Sequence, residues 1–267
     1  MKIFITGASS GIGEALAHEY ARRYQNKDTA IGLASRRSEH LQKLKQTLET
    51  TYQVNCAIYP LDVRDSAAMT SAANDFIQQF CAPNVVIANA GVSSGTLTEH
   101  AEDTAAFQAV MDINVLGMVN TFQPFIAAMR QSAASGNNAQ LVGIASVAGV
   151  RGLPGAGAYS ASKAAAIAYL ESLRVEMSHH HIGVTTIAPG YIRTPMTDIN
   201  SYSMPFLMDA DIAASKFVDA IERKRRFCVI PWQMGWVARL MRLIPPVLWD
   251  LLAKNAPHKK RLDWDWL

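Results

Sequence analysis

The chain has 267 residues, of which 49% are hydrophobic and 18% charged, and its formal net charge is +3. A chain of this length and composition can bury one sizeable core. Its net charge is too small for a polyelectrolyte that binds nucleic acid, and no nucleic-acid-binding motif is present. The three cysteines lack a disulfide or metal spacing and favour a reducing compartment, so we expect a cytoplasmic protein.

Short apolar segments alternate with helical patterns along the chain. Strands are predicted at KIFITG, TAIGLASR, NCAIYPLDV, NVVIANAG, QLVGIAS, GVTTIAPG and RRFCVIP, and two long helices at Thr104–Gln131 and Tyr159–Ser178. Apolar strands without alternation are typical of a parallel sheet that is covered on both faces. The sequence therefore predicts an α/β fold with a doubly wound parallel sheet of about seven strands. With no linker or repeat, we expect one domain over 1–267, with a core at 1–231 and a helical C-terminal extension at 232–267.

The turn TGASSGIG, residues 6–13, follows the first strand and opens the first helix. Gly7, Gly11 and Gly13 allow a tight turn in which the backbone approaches a pyrophosphate at the helix N-terminus. Ser9, Ser10 and Ile12 lie in the same turn. Such a turn can also simply close a strand–helix corner, but its position in an alternating chain favours a dinucleotide site.

The second strand ends in Ser35, followed by Arg36 and Arg37. An acidic residue near this position binds the ribose hydroxyls of NAD, whereas a guanidinium pairs with the 2′-phosphate of NADP. The alternative is that both arginines lie in solvent at a strand end. Because the acid is missing, we predict NADP(H) in preference to NAD(H).

Four polar residues form a second pattern. Tyr159 and Lys163 are four residues apart and share a helix face, and Ser146 ends the fifth strand, where ligands of parallel sheets bind. Asn114 interrupts an apolar helical pattern. Each residue alone would be an ordinary turn, cap or packing residue. Together with the Gly-x-x-x-Gly-x-Gly turn, the four resemble the Asn-Ser-Tyr-Lys tetrad of the short-chain dehydrogenase/reductase family.

The resemblance covers Met1 to Met196 and implies a Rossmann-type fold and an oxidoreductase that moves a hydride between a nicotinamide and a carbonyl or alcohol. It implies that Tyr159 exchanges the proton, Ser146 polarises the carbonyl, Lys163 tunes Tyr159 and binds the ribose, and Asn114 holds a water. A phenol has a pKa of about 10, which a nearby ammonium and the positive nicotinamide would lower. The resemblance also implies a homodimer or homotetramer, and it adds further cofactor-binding positions at Asp62, Val63, Asn89, Ala90, Gly91, Pro189, Gly190, Ile192 and Thr194.

The substrate side is predicted to be apolar. By resemblance, the loop after Thr194 forms a lid that includes Met196, and Tyr191 lies in the preceding segment on the nicotinamide side. Val147 and Leu153 are expected in the opposite wall beside Ser146 and Tyr159. We therefore expect a hydrophobic carbonyl or alcohol as substrate. Two alternatives remain: a regulator that senses NADPH without chemistry, and a sugar-nucleotide epimerase or dehydratase, for which the glycine spacing differs.

The segment from Trp232 onward is predicted to form two short helices broken at Pro245-Pro246. Its mixture of Trp, Leu, Met and basic residues is typical of a segment in a membrane interface. The alternatives are a tail folded over the substrate cleft or a dimer contact. The run His179 to His181 is predicted to be an exposed turn, and we expect no metal site.

Overall fold

The computed structural model describes residues 1–200, 202–256, 258–259 and 261. These residues form a seven-stranded sheet with the order β3-β2-β1-β4-β5-β6-β7, in which every pairing is parallel. The predicted fold class is thus confirmed. The strands are β1 (Lys2–Thr6), β2 (Ala30–Ser35), β3 (Asn55–Pro60), β4 (Val85–Ala88), β5 (Gln140–Ile144), β6 (Gly183–Pro189) and β7 (Phe227–Ile230).

Helices cover both faces of the sheet. Neighbouring side chains of β1 point to opposite faces, so Ile3 and Ile5 join one apolar core and Phe4 joins the other. The first core includes Leu16 and Phe217, and the second includes Phe122. The helices are α1 (Gly11–Arg23), α2 (Ser38–Tyr52), α3 (Ser66–Phe80), α4 (Asp103–Met111), α5 (Gly117–Ala134), α6 (Gly157–Ser178), α7 (Pro195–Asp198), α8 (Ala210–Glu222), α9 (Trp232–Leu243) and α10 (Pro246–Ala253).

The helix predicted at Thr104–Gln131 is not a single α-helix. A π-helical turn, Asp112–Leu116, lies between α4 and α5. The extra residue of a π turn is a frequent feature of functional sites, and here the turn contains Asn114. The other long helix, α6, begins at Gly157, two residues before the predicted start, so Tyr159 lies within its first turn.

The C-terminal part of the described chain packs against the segment that follows β5. The guanidinium of Arg151 donates hydrogen bonds to the carbonyl oxygens of Met241, at 3.0 Å, and Ile244, at 2.8 Å. It also lies 4.9 Å from the ring centroid of Trp249. These contacts fix α9 and α10 beside residues 147–156, and the two helices are separated at Pro245 as predicted.

Within the described ranges, no helix is both long enough and apolar enough to cross a membrane.

Candidate active site

A cavity of about 350 Å³ lies at the carboxyl ends of the strands. It opens where the sheet order changes direction, between β1 and β4, which is where ligands bind in open α/β sheets. Its wall brings together most of the predicted site residues: Gly7, Ser9, Ser10, Gly11, Ile12, Arg36, Arg37, Asp62, Val63, Asn89, Ala90, Gly91, Ser146, Tyr159, Lys163, Pro189, Gly190, Ile192, Thr194 and Met196.

The glycine-rich turn places backbone without side chains at the wall of the cavity. Gly7 and Gly11 have φ values of +66° and +59°, in the left-handed region that side chains other than glycine rarely adopt. Ser10 precedes α1 without a side-chain capping bond, so no hydroxyl occupies the amides of the first helical turn. This turn is a cradle that suits a phosphate group.

Asn89 supports the cradle from behind. Its side-chain amide donates to the carbonyl oxygens of Thr6, at 3.0 Å, and Gly7, at 3.2 Å. The Thr6 hydroxyl in turn accepts hydrogen bonds from the backbone amides of Asn89, at 3.2 Å, and Ala90, at 3.3 Å. Asn89 lines the cavity, but its amide group is used to hold the turn.

Two guanidinium groups stand at the rim beside the end of β2. Arg37 donates to the Ser9 hydroxyl at 3.0 and 2.8 Å and also to the Ser10 hydroxyl. A nitrogen of Arg36 lies 4.0 Å from a carboxylate oxygen of Asp62. Burial alone would raise the pKa of Asp62, but hydrogen bonds from Arg64 hold that pKa below its ordinary value. This end of the cavity therefore combines positive charge with hydroxyl groups.

Ser146, Tyr159 and Lys163 meet at the other end of the cavity. The Lys163 ammonium donates to the Ile144 carbonyl at 2.9 Å and lies 5.8 Å from the ring centroid of Tyr159. The Ser146 hydroxyl accepts from the amide of Ala148 at 3.1 Å. These contacts fix both side chains close to the phenol.

The pKa values of this group are set mainly by burial. Burial lowers the pKa of Lys163 from its ordinary 10.5 to about 8. Burial also raises the pKa of Tyr159, and a hydrogen bond from Ser146 acts in the opposite direction. Burial thus raises the pKa of the phenol, opposite to the direction predicted for the site with its nicotinamide. The Lys163 ammonium donates its hydrogen bond to the Ile144 carbonyl.

Asn114 lies behind the cavity. Its side-chain oxygen accepts from the Val92 amide at 2.8 Å, and its nitrogen donates to the Val92 carbonyl and the Ser162 hydroxyl, both at 2.9 Å. A Cβ atom at Gly91 would lie 3.1 Å from the Asn114 oxygen and 3.5 Å from the Lys163 nitrogen. Asn114 therefore braces the loop after β4 beside Lys163, and its predicted water-holding role stays a prediction.

Four other predicted positions do not line this cavity. Gly13 packs against the turn, where a Cβ atom would lie 2.2 Å from the Gly7 oxygen. Val147 and Leu153 belong to the segment after Ser146, and the Leu153 amide donates to the Ser160 hydroxyl at 3.3 Å. The ring of Tyr191 lies against that of Tyr202, with 6.4 Å between centroids.

Several lining residues were not predicted. Most of them are apolar neighbours of predicted positions and carry no motif of their own, among them Leu61, Val92, Ile113, Ile144 and Ala145. Outside the cavity, the Lys259 ammonium of the C-terminal tail lies 5.8 Å from the Tyr159 ring centroid. In the sequence, only the basic residues of the C-terminal tail indicated that a cation could lie near the site. In the described residues, no three His, Cys, Asp or Glu side chains are grouped to hold a metal ion.

A parallel α/β sheet with a glycine cradle at its switch point, and with Ser146, Tyr159 and Lys163 beside it, defines a nucleotide-binding oxidoreductase. The family model described as short chain dehydrogenase matches residues 1–203, and the chain belongs to this family.

Three similar proteins illustrate the family. The chain is 33% identical over 251 residues to an uncharacterized oxidoreductase of Myxococcus xanthus, covering 94% of this chain and 95% of that one. It is 29% identical over 265 residues to 11-beta-hydroxysteroid dehydrogenase 1A of Arabidopsis thaliana, covering 92% of this chain and 72% of the relative. A short-chain dehydrogenase from Sphingobium yanoikuyae, solved in complex with NADPH, has the same fold, with a TM-score of 0.73, 24% identity and coverage of 92% and 96%.

Proposed function

We propose that the protein is an NADP(H)-dependent oxidoreductase that interconverts a hydrophobic ketone or aldehyde and its alcohol. The observation that carries the proposal is one cavity with two guanidinium groups at one end and Ser146, Tyr159 and Lys163 at the other. A dinucleotide has the same division, since its adenosine phosphate lies at one end and its nicotinamide at the other.

The residues of the cavity fit such a cofactor. The amides of the turn around Gly11 would hold the pyrophosphate, and Arg36 and Arg37 would pair with a 2′-phosphate. Asp62 and Val63 would border the adenine, and the β6 end at Pro189 and Gly190 would border the nicotinamide. When bound, the cofactor supplies or accepts the hydride at the substrate carbon.

The protein's own residues would manage the proton. In reduction, Tyr159 donates its phenolic proton to the carbonyl oxygen while Ser146 donates a hydrogen bond to the same oxygen. The Lys163 ammonium, 5.8 Å from the Tyr159 ring centroid, would favour the resulting phenolate electrostatically. In oxidation the same phenolate accepts the alcohol proton. Each direction balances one hydride with one proton.

An apolar substrate is favoured by the lining and by one relative. Met196, which is 37% exposed, lines the cavity together with the apolar Val92 and Ile113. The Arabidopsis relative carries the name of a steroid dehydrogenase, which is consistent with an apolar substrate.

One experiment distinguishes the proposed oxidoreductase from the alternative, an NADPH-sensing regulator. NADPH and NADH oxidation would be followed with a panel of aliphatic, aromatic and steroid ketones, for the wild type and for Tyr159→Phe. We expect Tyr159→Phe to lose turnover by about 10²–10⁴-fold while it still binds NADPH, since general acid–base catalysis contributes on that order. Tyr169→Phe, the same change on the same helix, should keep activity. NADPH binding without turnover of any ketone by the wild type would favour the regulator.

We also propose a cytoplasmic enzyme that contacts membrane surfaces through α9 and α10. The outer faces of these helices expose Trp236, Leu243 and Val247 next to Arg239 and Arg242. Apolar and basic side chains on one face suit an anionic lipid surface. Sedimentation with anionic vesicles tests this, with Trp236→Gln as the variant. Absence of binding by the wild type would contradict it.

Assembly into a homodimer or homotetramer through α5 and α6 is proposed by family resemblance. Val175 on α6 is 60% exposed, which leaves an apolar position open on this helix. Light scattering coupled to size-exclusion chromatography would give the mass in solution. A Val175→Asp variant that lowers the mass would support contact through α6, and a monomeric wild type would exclude assembly.

A further inference from the structure

The C-terminal tail, defined here as residues 258, 259 and 261, contacts the active site beside Gly155 and Tyr159. His258 packs against Gly155 so closely that a Cβ atom there would lie 2.6 Å from the imidazole carbon Cγ. The next residue brings the Lys259 ammonium to 5.8 Å from the Tyr159 ring centroid. Lys259 is not among the described residues that line the cavity, so it contacts Tyr159 from outside the cavity.

The tail is fixed at this place by charge. Arg261 donates to Glu102 at 2.9 Å and to Asp103 at 3.0 Å. Asp103 is itself held by the Leu97 amide, which donates to its other oxygen at 2.8 Å. The hydrogen bond from Leu97 and then the charge of Arg261 hold the pKa of Asp103 below its ordinary value. The position of Lys259 therefore follows from an ion-paired anchor two residues further along the chain.

Lys259 differs from the other cations around the site. Arg151 is bonded to two carbonyls, Lys163 to one, and Arg261 to two carboxylates. Among the described residues, Lys259 has no hydrogen bond and no ion pair, although it is partly buried. Burial lowers its pKa to about 8. A half-buried ammonium without a counter-charge is less favourable than one that meets an anion.

We propose that Lys259 binds an acidic group on the substrate, so that the enzyme prefers a hydrophobic carbonyl or alcohol that also carries a carboxylate. This proposal rests on the proposed function, because it specifies the substrate class of the same site more closely. The apolar wall would hold the body of the substrate, and Ser146 and Tyr159 would bind its carbonyl oxygen. Lys259 would bind a carboxylate that lies a few atoms from that carbonyl in the same substrate.

The test uses two matched ketones, acetophenone and 3-acetylbenzoate, with NADPH. The wild type should have a lower KM for 3-acetylbenzoate, and Lys259→Met should raise that KM at least about tenfold, the loss of a charge-assisted hydrogen bond. The KM for acetophenone should change less than threefold. Lys259→Arg should keep most of the preference. The control Lys254→Met removes the exposed lysine that follows α10 and should match the wild type.

A second measurement does not depend on turnover. Calorimetry should give tighter binding of benzoate than of benzyl alcohol to the wild type, and the difference should disappear in Lys259→Met and weaken with added salt. If Lys259→Met changed the KM of both ketones equally, the inference would be overturned. The same holds if the substitution raised the activity toward both ketones, as expected if Lys259 only blocks the active site. If no ketone is reduced but benzoate binding depends on Lys259, the proposed reaction fails and the acid site stands.

Discussion

The guanidinium of Arg37 makes two hydrogen bonds to the hydroxyl of Ser9, at 3.0 and 2.8 Å. The end of β2 and the glycine-rich turn, which are far apart in sequence, are thereby joined at the rim of the cavity. A guanidinium held in this way is already ordered, so a phosphate that binds it does not have to immobilise a free side chain.

Arg37→Ala should therefore weaken NADPH binding about 10–100-fold and leave NADH binding within about threefold, because only NADPH brings the extra phosphate. Titration of the two cofactors by fluorescence would measure both dissociation constants. Arg174→Ala, which removes a guanidinium on α6 remote from the cavity, is the control. An equal loss for both cofactors would mean that Arg37 only supports the turn.

Gly13→Ala should lower stability by about 1–3 kcal/mol, as expected for overpacking against backbone. Its Cβ atom would lie 2.2 Å from the Gly7 oxygen and 2.6 Å from the Asn89 amide nitrogen, so the turn must shift. Thermal unfolding and NADPH titration would both report the change. Gly152→Ala is the matched control because a Cβ atom there meets nothing within 4 Å. Unchanged melting of Gly13→Ala would contradict this reading of the turn.

Lys163→Met should inactivate the enzyme but stabilise the free protein at pH 7 by about 1–2 kcal/mol, after allowance for the lost bond to Ile144. The pKa of Lys163 is about 8 in the folded protein and ordinarily 10.5. Below pH 8 the folded wild type carries a buried charge that is better solvated in the unfolded chain. Between pH 8 and 10.5 the unfolded state binds more protons, so wild-type stability rises with pH.

The advantage of Lys163→Met should accordingly shrink across that window. Urea unfolding of both proteins from pH 7 to 10.5 would measure the difference. If Lys163→Met were less stable than the wild type at every pH, interactions in the folded protein would outweigh the cost of burying the Lys163 ammonium.

Asn114→Ala should cost about 1–3 kcal/mol in stability, because the part-buried amide and carbonyl of Val92 would both lose their partner. Urea unfolding measures this, and Asn137→Ala, an exposed asparagine after α5, should be neutral. Stability within about 0.5 kcal/mol of the wild type would show that the loop after β4 does not depend on this side chain.

The sheet and the cradle were predictable because local pattern determines them. Continuous apolar strands such as Val85–Ala88 and the spacing of Gly7, Gly11 and Gly13 are visible without any knowledge of contacts. The π turn at Asn114 was not predictable. Asn114 in this turn accepts a hydrogen bond from the Val92 amide, twenty-two residues away, and helical propensity does not register such a partner.

The tail illustrates the same limit over a longer distance. The helices α9 and α10 that precede the tail, and the break at Pro245, follow from the sequence. The contact of Lys259 with Tyr159 depends on where a distant segment docks. The alternatives of membrane, cleft and dimer contact were open because a mixed apolar and basic pattern suits all three. The contact of the tail with Tyr159 and Gly155 supports the cleft, and the outer faces of α9 and α10 stay exposed.

The central place of β1 has a consequence for the biogenesis of the protein. Ile3, Phe4 and Ile5 pair with β2 on one side, but their other edge is covered only by Val85, Val86 and Ile87. During translation an apolar strand edge is therefore open until β4 has been made. Such edges recruit other chains, and parallel pairings form slowly. The yield of folded protein in a cell should thus depend on chaperone supply and growth temperature more than on the stability of the finished sheet.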